Sequence, residues 1–265
     1  MVSNFHRFAL NMTALIILCF LGFAAGFVDA IAGGGGLIQL PAYFILMPHF
    51  TIAQLLGSNK LGGFSGTFVS TIQYLRKIKV DWKLILPALF VAGISALLGA
   101  QLVSYLDKDK MAPIVVAVLI VMLIYTSLNK QTGIVNTHLA ISPEKVKWIL
   151  LCAACLIGLY DGFFGPGAGS MLMFVFVTLL GFDFLSAAAH TKVFNCITNI
   201  GALAFFIVHG DVRYEVAIPV AVCNIAGNYF GSALALKKGS PFIRIIYIVV
   251  VSALIAKIVF DYFIK

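Results

Sequence analysis

The chain has 265 residues, 62% of them hydrophobic and 11% charged, with a mean hydropathy of +1.05. Soluble domains carry about 25% charged residues, and a soluble fold of this size could not hide so much apolar surface, which excludes a water-soluble enzyme or binding module. The formal charge of +8 does not mark a nucleic-acid binder, because the basic residues fall in short clusters between apolar runs, as in the loops of a polytopic membrane protein.

The apolar runs are continuous rather than alternating, which predicts helices and argues against a membrane β-barrel. In chain order the first half reads as segments near 8–31, 37–50, 61–75, 84–106 and 111–128, and the second as 148–164, 169–182, 193–209, 217–236 and 242–262. The pieces at 37–50 and 169–182 are short for a full crossing and read as half-helices or re-entrant segments. The organisation expected is an N-terminal transmembrane repeat over 1–128, a cytoplasmic central loop over 129–147 and a C-terminal repeat over 148–265.

A shift of 132 residues, without gaps, superposes the halves: Gly26 falls on Gly158, Asp29 on Asp161, Gly33 on Gly165, Gly35 on Gly167, Lys60 on Lys192, Pro87 on Pro219 and Gly99 on Gly231. Asp, Lys and Pro are rare in so apolar a chain and costly in lipid, so their matches carry the repeat. The N-terminus, with His6 and Arg7 before an apolar run, has the outline of a signal peptide. Its counterpart at 148–164 predicts a retained helix instead.

If every segment crosses, one side holds ten of the eighteen basic residues, in 76–83, 129–147 and 237–244, and the other holds five. Basic loops face the cytoplasm, and five crossings per half would turn the second half upside down relative to the first. The fold class expected is therefore all-α and polytopic: two inverted repeats of four to five segments, with helices interrupted at glycine-rich breaks.

Those breaks read "AGGGGL" (32–37) and "FGPGAG" (164–169), each following an acid. Unwound backbone at membrane depth survives only where protein or a watery cavity satisfies it. The helix that restarts after each break presents free N–H groups suited to an anion. Gly33, Gly34, Gly35, Gly36, Gly165 and Gly167 are the candidate ligands. The pairs Gly22/Gly26, Gly62/Gly66, Gly158/Gly162 and Gly227/Gly231 have the small-xxx-small spacing of helix packing and are read as such.

Each half also carries a basic triplet, "SNK" at 58–60 and "HTK" at 190–192. A lysine near a helix end often anchors by snorkelling. Two at one repeat position, beside hydrogen-bonding neighbours, equally suit a paired cationic site. Asn59, Lys60, Thr191, Lys192, Asn195 and Asn199 join the candidate substrate-binding set, with Thr67 the repeat mate of Asn199. Asp29 and Asp161 either tie down the broken backbone locally or couple transport to protons or another ion, as intramembrane acids often do. His190 is a further coupling candidate, though it has no histidine mate. The five cysteines lie in apolar segments; Cys152 and Cys155 form an isolated C-x-x-C and are read as packing residues. No metal or cofactor is expected.

At these residues the chain resembles the TauE/SafE family of sulfite exporters. The resemblance rests on the twice-repeated glycine-rich segment after an acid (Gly26–Pro41 and Gly158–Met173), on "GSNKLGGF" and "AHTKVFN", and on the two-half layout from about residue 12 to 262. It implies transport of a small anion, typically sulfite or an organosulfonate, across the plasma membrane. Pro166 and Ala168 stand where the first break has Gly34 and Gly36.

The leading expectation is a multi-pass secondary transporter of a small anion, working by alternating access in the lipid bilayer. No phosphate-binding G-x-x-x-x-G-K-[ST] stretch supplies a motor. An anion channel would use the same polar groups. An intramembrane serine protease is a distant third reading, on "GFSG" (63–66) and the histidine of "AAAH" (187–190).

Overall fold

The computed structural model describes the backbone over residues 2–104 and 142–263, and side chains over 12–103, 142–250 and 252–253. The expected segment at 111–128 and most of the central loop lie outside the described residues. All regular structure described is helical: α1 (Val2–Ala32), α2 (Gly36–Leu46), α3 (Ile52–Leu75), α4 (Trp82–Gln101) with a 3₁₀ turn at Leu102–Ser104, α5 (Pro143–Phe163), α6 (Ala168–Phe174), α7 (Phe184–Val208), α8 (Tyr214–Lys238) and α9 (Ser240–Phe263). From α6 the chain continues as a π-turn through Val175–Leu179.

Hydropathy places the lysine-bearing helices too late, from 61 and 193, because their polar first turns read as loop. Capping decides otherwise. Thr51 forms a reciprocal capping box with Gln54 ahead of α3, and Asp183 accepts from Leu185 N and Ser186 N ahead of α7. Lys60 and Lys192 therefore sit about two turns inside continuous helices rather than at an edge. Likewise Pro143 at the first turn and Glu144 beside it start α5 within the stretch expected as loop.

The 132-residue offset is kept by three helix starts: Gly36 and Ala168, Ile52 and Phe184, Trp82 and Tyr214. Packing follows the same relation. The most extensive contacts are α1 on α8 and their counterparts, α5 on α4; then come α3 on α8 and α7 on α4, with α3 and α7 packed on each other at the centre. Glycines make these crossings close: a Cβ on Gly227 or Gly231 would meet the α1 backbone at Phe23 and Phe27, and one on Gly158 or Gly162 the α4 backbone at Ala92 and Ala96. That is the small-residue packing the spacing predicted.

Five described helices are long and apolar enough to cross a bilayer: Met12–Ala32, Trp82–Gln101, Pro143–Phe163, Phe184–Val208 and Tyr214–Lys238. Gly36–Leu46 and Ala168–Leu179 are shorter apolar helices, as the half-helix reading expects. The outer faces carry exposed Phe20, Phe90, Leu156, Val208, Val222 and Phe230, a surface suited to acyl chains and not to water. Cys152 and Cys155 lie on such a face of α5, exposed rather than packed. The polar residues are inside: Lys60, Lys192, Asp161, Asn195, Asn224 and Asn228 are all buried.

Candidate functional site

Both breaks are made by glycine for a geometric reason. Gly33 and Gly165, repeat mates, adopt φ of +72° and +95°, the left-handed region that side chains with a Cβ avoid. Two of the carbonyls that α1 leaves open at its end are taken by neighbouring side chains: Tyr74 Oη donates to Ala30 O at 2.9 Å and Ser170 Oγ to Ala32 O at 2.9 Å. Across the molecule Tyr160 Oη donates to Pro166 O at 2.6 Å. Protein side chains thus meet these carbonyls of the unwound backbone.

The two breaks touch. A Cβ on Gly33 would lie 2.5 Å from the carbonyl carbon of Gly169, and one on Gly169 2.5 Å from Gly33 O. Beside that contact lies a cavity of about 60 Å³. From the breaks it is lined by Asp29, Gly33, Gly35 and Gly36 and by Asp161, Gly165 and Gly169. Helix α3 adds Asn59, Lys60, Gly63 and Thr67; α7 adds Asn195 and Asn199; α2 and α8 add Gln39 and Asn224. Asp29/Asp161, Gly33/Gly165, Gly63/Asn195 and Thr67/Asn199 are repeat mates, so equivalent positions of the two halves face one space.

The charges are crossed between the halves. Lys60 of the first donates to Asp161 Oδ1 of the second at 2.9 Å, and Lys192 of the second to Asp29 Oδ2 of the first at 2.7 Å. The lysines are therefore not the free ammonium groups that a purely cationic pocket would need. A buried ammonium without a partner is too costly, and the carboxylates ending α1 and α5 are the groups within reach. Asp29 also accepts from Thr67 Oγ1 at 3.2 Å and, at 3.4 Å, from Gly35 N in the break. Its carboxylate does tie down broken backbone.

The symmetry is imperfect. Lys60 lines the cavity; Lys192 has a side chain with 0% exposure and does not. Gly34 packs toward Val250 and Leu37, and Gly167 holds φ +85° at the start of α6, both off the cavity. Thr191 is buried away from it, with an Oγ1 that has no hydrogen-bond partner. His190 is also elsewhere: its Nδ1 lies 2.8 Å from Ser186 O, and its ring packs on Phe176 and Phe182 at centroid distances of 5.1 and 4.8 Å. Ser65, the serine of the protease reading, donates to Leu61 O within its own helix at 2.8 Å and does not meet His190 among the described contacts.

Sequence reasoning passed over Gln39, Gly63, Gly169 and Asn224, all on the cavity wall. The signal for the two amides was present, since each is a polar residue in an apolar run. Neither has a polar repeat mate, so a search for matched pairs misses them.

The family model for the sulfite exporter TauE/SafE matches residues 18–258, a span that includes both breaks, both aspartates and both lysines. The chain belongs to the TauE/SafE family. Relatives include a probable membrane transporter protein, ORF9, of Sinorhizobium sp, 38% identical with 94% of each chain covered. The probable membrane transporter protein YfcA of Escherichia coli K12 is 35% identical, with 96% of this chain and 93% of that one covered. A probable membrane transporter protein of Haemophilus influenzae is 33% identical, over 95% and 97%. No solved structure matches significantly. As a TauE/SafE protein with several bilayer-length apolar helices, the chain is a multi-pass membrane transporter.

Proposed function

We propose that the protein carries a small oxyanion, sulfite or an organosulfonate, across the plasma membrane by alternating access, together with a proton. The observation that carries this reading is the lysine–aspartate pair on the cavity wall, where Lys60 Nζ is held by a single carboxylate, Asp161. An anion entering beside it competes for the Lys60 ammonium through the same charge-assisted hydrogen bond. Asp161, losing its cation, then takes a proton. The net charge of the site rises by one with that proton and falls by one with a monovalent anion, so the loaded and empty sites match. That suits a carrier whose site must reorient both full and empty.

Asn59, Asn195 and Asn199 supply the neutral part of the anion's surroundings; the N–H groups of Gly33, Gly35 and Gly165, expected to be free for an anion, are instead taken by Asp29 O, Asp29 Oδ1 and Tyr160 O. Asp29, held by Lys192, Thr67 and Gly35, is the fixed counterpart that keeps the first break in shape. In this reading residues 1–128 and 148–265 are inverted halves that rock about the breaks, and the 129–147 loop faces the cytoplasm.

The test is uptake of radiolabelled sulfite and methanesulfonate into proteoliposomes. Saturable uptake driven by an imposed pH gradient, accelerated by unlabelled substrate on the far side, is expected; a pore would show no such counterflow. Lys60→Ala should abolish uptake, and Asp161→Asn should keep exchange while losing the response to the pH gradient. Wild-type vesicles that take up neither probe, or Lys60→Ala and Lys192→Ala proteins with unchanged flux, would remove the proposed site.

A further inference from the structure

Gln39 is 2% exposed and lines the cavity; its Nε2 makes no close hydrogen bond, and the polar group its side chain approaches on its own helix is the Tyr43 hydroxyl, one turn on and likewise without a close partner. The two ends of a side-chain amide look alike in shape, so its neighbours decide which end points where. Here the neighbours are anchored on backbone carbonyls, which only accept. Asn228 lies 3.2 Å from the Asn224 carbonyl, so the end facing it is Nδ2. The same Nδ2 is 2.8 Å from the Asn224 side chain, which must present Oδ1 there. Asn224 Nδ2 is thereby turned to the Gly22 carbonyl at 3.2 Å and to Gln39 at 2.7 Å, which must accept through Oε1. The end of Gln39 left over is its NH₂.

This relay is held rigidly. A Cβ on Gly26 or Gly66 would collide with Asn224 and Asn228, so α1 and α3 close on both amides. A Cβ on Gly62 would lie 2.6 Å from Gln39 Nε2, so α3 also leaves the notch that the amide end occupies. Nor does a crossing of this kind need such residues. The repeat mates of Gln39, Asn224 and Asn228 are Met171, Ala92 and Ala96, and the equivalent crossing of α4 on α5 is made with those alanines against Gly158 and Gly162. The Tyr43 hydroxyl can take one N–H of the Gln39 amide; the second, left unmatched beside a cavity, is costly as packing and useful as a ligand contact.

We propose that Gln39 Nε2 is a neutral hydrogen-bond donor to the transported anion, aimed by the Asn224–Asn228 relay. The inference rests on the anion-transport reading above. It adds an uncharged ligand with no counterpart across the repeat, since the equivalent positions on the α6/α4 side are Met171, Ala92 and Ala96. The occupant it selects has an oxygen free to accept.

Sulfite and methanesulfonate uptake in proteoliposomes tests it. Gln39→Met, which copies the repeat mate, should raise KM at least about tenfold with Vmax within twofold, the loss of one hydrogen bond to a charged group. Gln39→Glu, nearly isosteric but with an acceptor in place of the donor, should abolish uptake. Asn228→Ala, off the cavity and copying Ala96, should raise KM by a smaller factor. Each variant is first checked for monodisperse behaviour and a wild-type melting temperature in detergent, and Met171→Gln serves as the control that leaves KM unchanged. Folded Gln39→Met and Gln39→Glu proteins with wild-type KM would overturn the role of Gln39 while leaving the transporter reading intact. Wild-type vesicles that take up neither probe would overturn both.

Discussion

Lys60 and Asp161 stand 101 positions apart in the chain and meet at 2.9 Å, both side chains at least nine-tenths buried. Their repeat mates Lys192 and Asp29 meet at 2.7 Å. Each half of the protein thus neutralises the other's buried charge, and neither half is electrostatically complete alone.

Breaking one pair strands a charge. Lys60→Ala leaves the Asp161 carboxylate buried without a cation and is expected to destabilise the fold by about 3–5 kcal/mol. Replacing both partners by apolar residues, Lys60→Met with Asp161→Leu, should recover most of that loss while abolishing transport. A double-mutant cycle read by thermal unfolding in detergent checks it. Additive losses would show that the two residues do not act as a pair.

Asp183 caps α7 through Leu185 N and Ser186 N at 2.9 and 3.0 Å. It also accepts from the hydroxyls of Ser186 and Ser240 at 2.7 Å each. Burial pushes this carboxyl up, but the Ser186 N–H, the Ser186 and Ser240 hydroxyls and the Leu185 N–H outweigh it and hold the group below its ordinary value. A depressed folded value means that its contribution to stability is complete above the unfolded value, about 3.9, and fades as pH falls through the folded one. Asp183→Ala should cost about 1–2 kcal/mol at neutral pH, and the gap from wild type should narrow only in strong acid. Melting temperatures measured from pH 7 down to pH 3 test both statements.

Gly33 and Gly210 make a matched comparison, with φ of +72° and +70°. A Cβ on Gly210 meets nothing within 4 Å, whereas one on Gly33 strikes the Gly169 backbone. Gly210→Ala is therefore expected to cost only the conformational penalty, about 1–2 kcal/mol. Gly33→Ala should cost more and should abolish uptake, because it drives the two breaks apart. Equal melting temperatures for the two variants would contradict the close approach.

Cys152 and Cys155 face outward from a bilayer-length helix. In native membranes a charged, membrane-impermeant thiol reagent should modify neither, and in denaturing detergent both, because the reagent and the thiolate it attacks both need water. Buried Cys196 should likewise resist the reagent until the protein is unfolded. Labelling of Cys152 or Cys155 by the charged reagent in native membranes would place that face of α5 in water.

Much of this protein was written locally. Run length and hydropathy decide helices of bilayer length, because a hydrocarbon solvent leaves a backbone few other ways to satisfy itself. The 132-residue offset of Asp29, Gly33 and Lys60 marks equivalent positions, and the glycine runs mark where the helix must stop. Caps such as Thr51 and Asp183 were legible too, but hydropathy alone overlooked them and started both lysine helices a little over two turns late. What no local pattern contained is which group meets which. That Lys60 pairs with Asp161, that its mate Lys192 is shut off the cavity, and that Gln39 is turned by Asn224 on a helix 185 positions away all follow from which helices cross, and at what depth. A periodicity of 3.6 residues specifies a face but not its partner. Only the packed bundle decides whether a buried charge is met by a countercharge or by a solute.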